Sequence, residues 1–438
     1  MTISKFIVQG GRFLSGTIKP QGAKNEALQV LCATLLTKEK ITLHNLPDIA
    51  DVRSMMKLLT HLGVAIIPLG HGSYQFCAAA IEKSALGTEA FRAEFVKVRG
   101  SIMVLAPLLA RFKEVTIPKP GGDRIGRRGL HAHFEGLAQL GASFAYDSRK
   151  ETWTTTCNTL VGAPVLLPEA SVTGTANTVM AASLAKGKTT VYPAACEPHV
   201  QQLCHMLNTM GAHITGIGSN LLTIEGVSQL SGTVHTVSPD LLEIGSLIGL
   251  AAATQSEITI TDVPITLFEP VWYGFRKIGI ALETDQEKSI LHIPKQEAYH
   301  IQRDIDGKLT TLSDSIWPGF PSDLISIAIV TAVHAHGHLL IHQKMFESRL
   351  FFVDHLIEMG ARLVLCDPHR VHIVGLRNEY KLHGIRMVSS DIRAGISLLI
   401  AALAAEGESI IENIEQIDRG YERIDERLME LGASIQRV

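Results

Sequence analysis

Tyr421-Glu422-Arg423-Ile424-Asp425-Glu426-Arg427-Leu428-Met429-Glu430-Leu431-Gly432-Ala433 reads as an amphipathic helix with one charged side that stops at Leu-Gly-Ala. The same ending occurs at Leu62-Gly63-Val64, Leu140-Gly141-Ala142, Met210-Gly211-Ala212, Ile278-Gly279-Ile280 and Met359-Gly360-Ala361. With a spacing of roughly seventy residues, the chain reads as six copies of one structural repeat.

Each repeat opens on a helix of another kind. The spans Asn25 to Thr37, Gly100 to Phe112, Thr175 to Lys186, Asp240 to Thr254, Asp323 to Ala335 and Asp391 to Glu406 are apolar or small on nearly every face. A helix without a polar stripe must be buried all round, so these six belong inside and the charged second helices outside. Between them run β-branched, alternating segments: Lys40 to Leu46, Glu114 to Lys119, Thr189 to Tyr192, Glu257 to Val263, His338 to Ile341 and Ser409 to Ile414. Sheets must then wall the internal helices. The fold class expected is α/β: a two-domain inside-out α/β barrel of six pseudo-symmetric repeats, three per domain.

At 438 residues the chain exceeds what one core usually serves, which also points to two domains. Crossings fall at Gln21 to Ala23 and before Asp240. One domain is therefore expected at 24–238, and the second at 1–23 with 239–438, completed by the strands Phe6 to Val8 and Gly16 to Lys19. A cleft between two such domains is the default place for a ligand.

Composition excludes several classes of function. Hydrophobic residues make up 46% with only 5% aromatic, and 19% charge is enough to cover the outside of a globular chain. A net charge of −3 argues against nucleic acid as a partner. The start Met1-Thr2-Ile3-Ser4-Lys5 leads directly into a strand without an apolar signal core, and no apolar run is long enough to span a membrane. The expectation is a cytoplasmic protein with no membrane partner. Cys32, Cys77, Cys157, Cys196, Cys204 and Cys366 form no C-x-x-C pair and read as reduced thiols. The pairs His336/His338, Cys204/His205 and His131/His133 lack the second ligand pair that a metal site requires.

The starts of the buried helices carry charges or hydroxyls: Lys24-Asn25, Arg99-Gly100, Thr173-Gly174-Thr175, Asp240, Ser322-Asp323, and Asp391 with Arg393. Helix N-termini present free N–H groups and a positive dipole end, so such starts favour an anion, and Lys24, Arg99 and Arg393 strengthen that preference. Asp240 and Asp391 read as helix caps, whereas Asp323 fits a cap and a functional carboxylate equally well. The loop Pro118-Lys119-Pro120-Gly121-Gly122-Asp123-Arg124-Ile125-Gly126-Arg127-Arg128 has three arginines in five residues, which suits capture of a phosphate or, alternatively, a solvated basic turn.

Taken in order, Gly22-Ala23-Lys24-Asn25-Glu26-Ala27-Leu28, Arg99-Gly100-Ser101-Ile102, Pro120-Gly121-Gly122-Asp123, Phe346-Glu347-Ser348-Arg349 and Ile417-Asp418-Arg419-Gly420-Tyr421-Glu422-Arg423-Ile424 resemble the UDP-N-acetylglucosamine 1-carboxyvinyltransferase family over essentially the whole chain. The resemblance implies transfer of the enolpyruvyl group of phosphoenolpyruvate to the 3-hydroxyl of UDP-N-acetylglucosamine with release of phosphate, the step that opens peptidoglycan synthesis. It implies no metal and no organic cofactor. Lys24, Asn25, Arg128, Arg349, Arg393 and Arg419 match the family's phosphoenolpyruvate-binding positions. Asn25, Arg99, Arg128, Asp323 and Met345 match contacts to the sugar nucleotide. Asp323 matches the carboxylate at the reacting hydroxyl, and Lys24 and Asp123 fall at the other catalytic positions. The alternatives are an enolpyruvyl transferase acting on another acceptor, such as a shikimate phosphate, and a catalytically silent sugar-nucleotide-binding regulator.

Two departures from the family pattern carry consequences. The family's loop cysteine is Asp123 here. A thiol is protonated at neutral pH, whereas an aspartic acid must be raised by about three pKa units, roughly 4 kcal/mol, to be half protonated. Asp123 therefore reads as an acid only in a closed, water-excluded complex. Fosfomycin alkylates the family's loop thiol, so resistance is the corresponding expectation. The second departure is Arg128-Gly129-Leu130-His131, where the family resembles Arg-Pro-Val-Asp and holds the uracil. His131 cannot accept hydrogen bonds as a carboxylate does, while Ser171-Val172-Thr173-Gly174-Thr175 keeps the rest of that pattern.

Overall fold

The computed structural model describes residues 4–122, 126, 129–377 and 379–438. They form two compact units: one comprises residues up to Gln21, Gly126 and Pro239–Val438, the other Gly22–Gly122 with Gly129–Ser238. Each unit has its own apolar core.

The second unit contains three of the buried helices, α1 (Lys24–Ala33), α2 (Leu105–Phe112) and α3 (Val172–Ala182). The first contains α4 (Leu241–Ala253), α5 (Ile325–His334) and α6 (Ile392–Ala404). In α6 every residue is buried, and in α5 likewise, as the absence of a polar stripe requires. Small residues let these helices approach closely. A Cβ on Gly249 of α4 would lie 2.3 Å from Ile327 of α5.

The expected second buried helix starts later than its apolar pattern. Arg99–Val104 forms a 3-10 turn and the α-helix begins at Leu105, which places Pro107 in the first turn, where its missing N–H has no intrahelical bond to make. The closing helix likewise begins at Ile424 and not at Tyr421, because Arg423 has a left-handed backbone with φ 40°. The six shared endings have one physical cause. Gly63, Gly141, Gly211, Gly279, Gly360 and Gly432 all take φ between 93° and 103°, the left-handed turn that stops a helix and that side chains oppose.

Each unit is walled by three sheets. In three repeats the strand before the buried helix pairs in parallel with the strand after it: Pro164–Leu166 with Lys188–Tyr192, Thr310–Ser313 with His338–His342, and Arg386–Val388 with Glu408–Glu412. At the chain crossings the partners are exchanged. Ser15–Ile18 precedes α1 but pairs with Glu257–Ile260, which follows α4; Val234–Thr236 precedes α4 but pairs with Lys40–His44, which follows α1. In the remaining repeat a short helix, Glu89–Phe95, lies ahead of α2, and that sheet has three strands among the described residues.

Candidate active site

The residues with chemistry fall into two groups, one in each unit. In the first unit the starts of all three buried helices meet at Arg393. Asp391 caps α6 by accepting from the backbone N–H of Arg393 and Ala394 (2.9 and 3.1 Å), and Asp240 caps α4 at Leu242 (2.9 Å), so both are helix caps. Asp323 is not a cap. It stands in the 3-10 turn Ser322–Leu324, and its carboxylate accepts from Arg349 Nη2 at 2.5 Å and from Arg393 Nε at 3.1 Å. Its side chain is 24% exposed against 10% for Arg349 and 8% for Arg393, leaving the carboxylate the open member of the trio.

Arg393 also donates to the Tyr421 hydroxyl at 2.9 Å, and that hydroxyl lies 2.8 Å from Ser246 Oγ on α4. Burial alone would lower the pKa of this guanidinium; Tyr421, Asp323 and Asp240 outweigh it and hold the pKa above the ordinary arginine value. Arg349 stacks over Phe346 with 5.0 Å to the ring centroid, and its buried Nε has no hydrogen-bond partner among the described residues. A buried donor left open beside a cationic fork is ready to receive an oxyanion. Met345 is exposed, and Arg419 donates to Gln416 Oε1 at 2.8 Å.

The Arg419–Glu422 segment is fixed by Gln21, whose side chain donates to Gly420 O (2.7 Å) and accepts from Glu422 N (2.6 Å). Gln21 N in turn donates to Glu243, a buried carboxylate whose pKa is raised by desolvation against the opposing charge of Arg427. The residue at the chain crossing thus sets the position of a site segment.

In the second unit Lys24 is the first residue of α1, buried, with Nζ 2.7 Å from Asp51 Oδ2. Asn25 is half-buried beside it. Glu26 then anchors the helix start by accepting from His235 Nε2 (2.8 Å) and from Ser238 N (3.2 Å), on the segment where the chain leaves the unit. Arg99 Nη2 donates to Gly129 O at 2.9 Å. The departure from the family pattern at position 129 therefore meets Arg99 through the main chain, which is indifferent to the side chain there.

Close by, His133 forms a closed network. Asn177 Nδ2 donates to His133 Nδ1 (2.8 Å), leaving Nε2–H to donate to Thr173 Oγ1 (3.1 Å), and Asn177 also reaches Ile102 O (3.0 Å). Burial, helped by the charge of Arg99, pushes the pKa of His133 down to about 3. His131 opens the helix His131–Gln139 on an exposed position. Asp123 and Arg128 lie outside the described residues.

Sequence reasoning did not reach Asp51, Asn177 or the Gln21 bridge; His133 entered only as half of a dismissed ligand pair, and Tyr421 only as part of a quoted motif. Among the described residues no cluster of His, Cys, Asp and Glu could hold a metal, and no helix is long and apolar enough to cross a membrane.

This architecture is that of an enolpyruvyl transferase. An enolpyruvyl transferase, NikO from Streptomyces tendae, has the same fold with a TM-score of 0.86 at 19% identity, covering 100% of this chain and 99% of its own. EPSP synthase from Acinetobacter baumannii follows at 0.73 and 18%, with 100% of both chains covered. The sequence pattern of the EPSP synthase (3-phosphoshikimate 1-carboxyvinyltransferase) family matches residues 8–428. The relatives from Bacteroides thetaiotaomicron (53% identical, 100% of both chains), Porphyromonas gingivalis (50%, 100% of both) and Treponema pallidum (46%, 99% of both) each bear the name UDP-N-acetylglucosamine 1-carboxyvinyltransferase. The chain belongs to the UDP-N-acetylglucosamine 1-carboxyvinyltransferase family.

Proposed function

We propose that this protein transfers the enolpyruvyl group of phosphoenolpyruvate to the 3-hydroxyl of UDP-N-acetylglucosamine and releases inorganic phosphate, the first committed step of peptidoglycan synthesis. The observation that carries this reading is Asp323, a carboxylate held by two arginines and left partly open. A protein that only bound a sugar nucleotide would have no use for a proton acceptor so placed.

In this reading the Asp323 carboxylate takes the proton of the sugar hydroxyl as that oxygen adds to C2 of phosphoenolpyruvate. Asp123 delivers a proton to the C3 methylene, giving a tetrahedral adduct. Asp123 then takes a C3 proton back while Asp323 returns its proton to the departing phosphate, and cleavage of the C2–O bond to phosphate regenerates the enol ether. Lys24, Arg128, Arg349, Arg393 and Arg419 bind the phosphate and carboxylate of phosphoenolpyruvate, with planar guanidiniums suited to paired oxygens. Asn25, Arg99, Arg128 and Met345 position the sugar nucleotide.

No step calls for a metal or organic cofactor, since the enol phosphate already carries the leaving group and the electron pair that moves. The substrates are phosphorylated small molecules that do not cross a bilayer, so we place the reaction in the cytoplasm. Replacement of the loop thiol by Asp123 makes fosfomycin resistance part of the same reading.

The test is phosphate release from phosphoenolpyruvate in the presence of UDP-N-acetylglucosamine, with shikimate 3-phosphate in parallel. Release with the sugar nucleotide alone supports the reading. Release only with the shikimate acceptor, or with neither, overturns it.

A further inference from the structure

The parallel register Thr310–Ser313 with His338–His342 ends at the pair Ser313 and His342, so the next residues, Asp314 and Gln343, leave the sheet side by side. Two other sheets turn at the same place through an asparagine. After Thr236 and His44, Asn45 turns left-handed (φ 57°) and donates to Val237 O at 2.8 Å; after Val388 and Glu412, Asn413 turns left-handed (φ 58°) and donates to Ser389 O at 2.7 Å. Both are uncharged turns in which one side chain satisfies one carbonyl.

The third place is built differently. Asp314 and Gln343 are both 0% exposed. The Asp314 carboxylate accepts from the backbone N–H of Lys344 (2.5 Å), from that of Met345 (3.2 Å) and from Gln343 Nε2. Gln343 Nε2 also reaches Ser322 Oγ at 2.8 Å, next to Asp323. A buried carboxylate is costly to desolvate and is offset here by three donors, two of them main-chain groups of the segment that runs on to Arg349.

We infer that Asp314 is a positioning residue for the transfer reaction, fixing through one carboxylate both the segment that carries Met345, Phe346 and Arg349 and, by way of Gln343 and Ser322, the turn that carries Asp323. The inference rests on the function proposed above. Asp314 touches no substrate in this scheme. It sets where the arginine and the carboxylate of the Arg349–Asp323 pair stand relative to each other, and displacements of about 1 Å in such constellations can cost about a hundredfold in rate.

The test compares the full chain with Asp314→Asn, Asp314→Glu and the exposed control Asp306→Asn, measuring phosphate release and amide exchange over residues 344–349. Asp314→Asn turns one acceptor into a donor facing main-chain N–H groups. It is expected to speed exchange at Lys344 and Met345, to lower kcat by about tenfold or more, and to raise the KM for the sugar nucleotide. Asp314→Glu keeps the charge and is expected to recover part of kcat, while Asp306→Asn matches the parent. Should Asp314→Asn fail to fold, Gln343→Met tests the same link with a smaller loss in the same direction. Parent-like kcat, KM and exchange in Asp314→Asn overturn the inference. An inactive parent protein whose Asp314→Asn variant still loses exchange protection sinks the proposed function and leaves the anchoring of the segment standing.

Discussion

Lys24 and Asp51 meet at 2.7 Å with both side chains buried, the ammonium on the first residue of α1 and the carboxylate on the outer helix Ala50–His61. The pair holds a flexible lysine stem in one direction before any substrate arrives. Removing one partner of a buried pair leaves a charge exposed to an apolar surrounding, typically at a cost of about 3–5 kcal/mol. Asp51→Ala is expected to lower the melting temperature and to raise the KM for phosphoenolpyruvate more than that for the sugar nucleotide. Lys24→Ala is expected to lose turnover outright. Substrate titrations of both variants check this.

Asp323→Asn keeps the shape but leaves one acceptor oxygen for the two arginines and removes the proton acceptor. Turnover is expected to fall by about 10²–10⁴, with the fold retained by circular dichroism. Residual turnover within threefold of the parent excludes Asp323 as the base.

Arg393 spans Asp323, the Tyr421 hydroxyl and the Tyr421 ring with a single planar group. A lysine cannot reproduce that fork. Arg393→Lys is expected to lower kcat/KM by about a hundredfold although the charge is kept, whereas Tyr421→Phe, which removes only one acceptor, is expected to cost much less. Equal losses in the two variants contradict the assignment.

His133 is kept neutral in the folded chain, with its pKa pushed down to about 3 by burial and Arg99. Its unfolded value is about 6.5. Between those values the unfolded chain binds more protons than the folded one, so stability from this group is present above pH 6.5 and is lost as pH falls. The loss amounts to about 2 kcal/mol on going from pH 8 to pH 5. Denaturant titrations across pH 4–8 are expected to show this slope in the parent protein and a flatter one in His133→Gln.

Asp123→Asn is expected to reduce turnover severely, while fosfomycin leaves the parent enzyme active. Cys32 and Cys204 are buried, and desolvation raises their pKa, that of Cys204 to about 12, so neither thiol is a ready nucleophile. Time-dependent inactivation by the drug with mass added at residue 123 contradicts the prediction.

Much of this was legible in the residues because it follows from local physics. The six Leu/Met/Ile-Gly endings mark helix stops that only a left-handed glycine makes easily, and the six buried helices betray themselves by lacking any polar stripe. The candidate cations, and Asp323 between two of them, were named through motifs. Other partners in the structure carried no such signal. Asp51 sits on the outer helix, where a carboxylate reads as part of a solvated face, although the fold buries it against Lys24. Asp314 reads as a turn residue after a strand, and its role depends on a register with a strand lying beyond α5. His133 and Asn177 are brought together across distant sequence by helix packing, which no local pattern encodes.

The strand Lys5–Gln9 has a consequence of its own during translation. Lys5–Gln9 is flanked on both sides, by Glu408–Glu412 and by Ser434–Arg437, and Gln9 bonds a residue 399 positions later. At 5–20 residues per second the ribosome needs about 20–80 s to supply that partner. Throughout that interval Phe6 and Val8, wholly covered in the finished molecule, lack both flanking strands, whereas the unit from Gly22 to Ser238 has all its described strands once residue 236 is made. Lys5–Gln9 is thus a strand whose pairing waits on residues made some four hundred positions later.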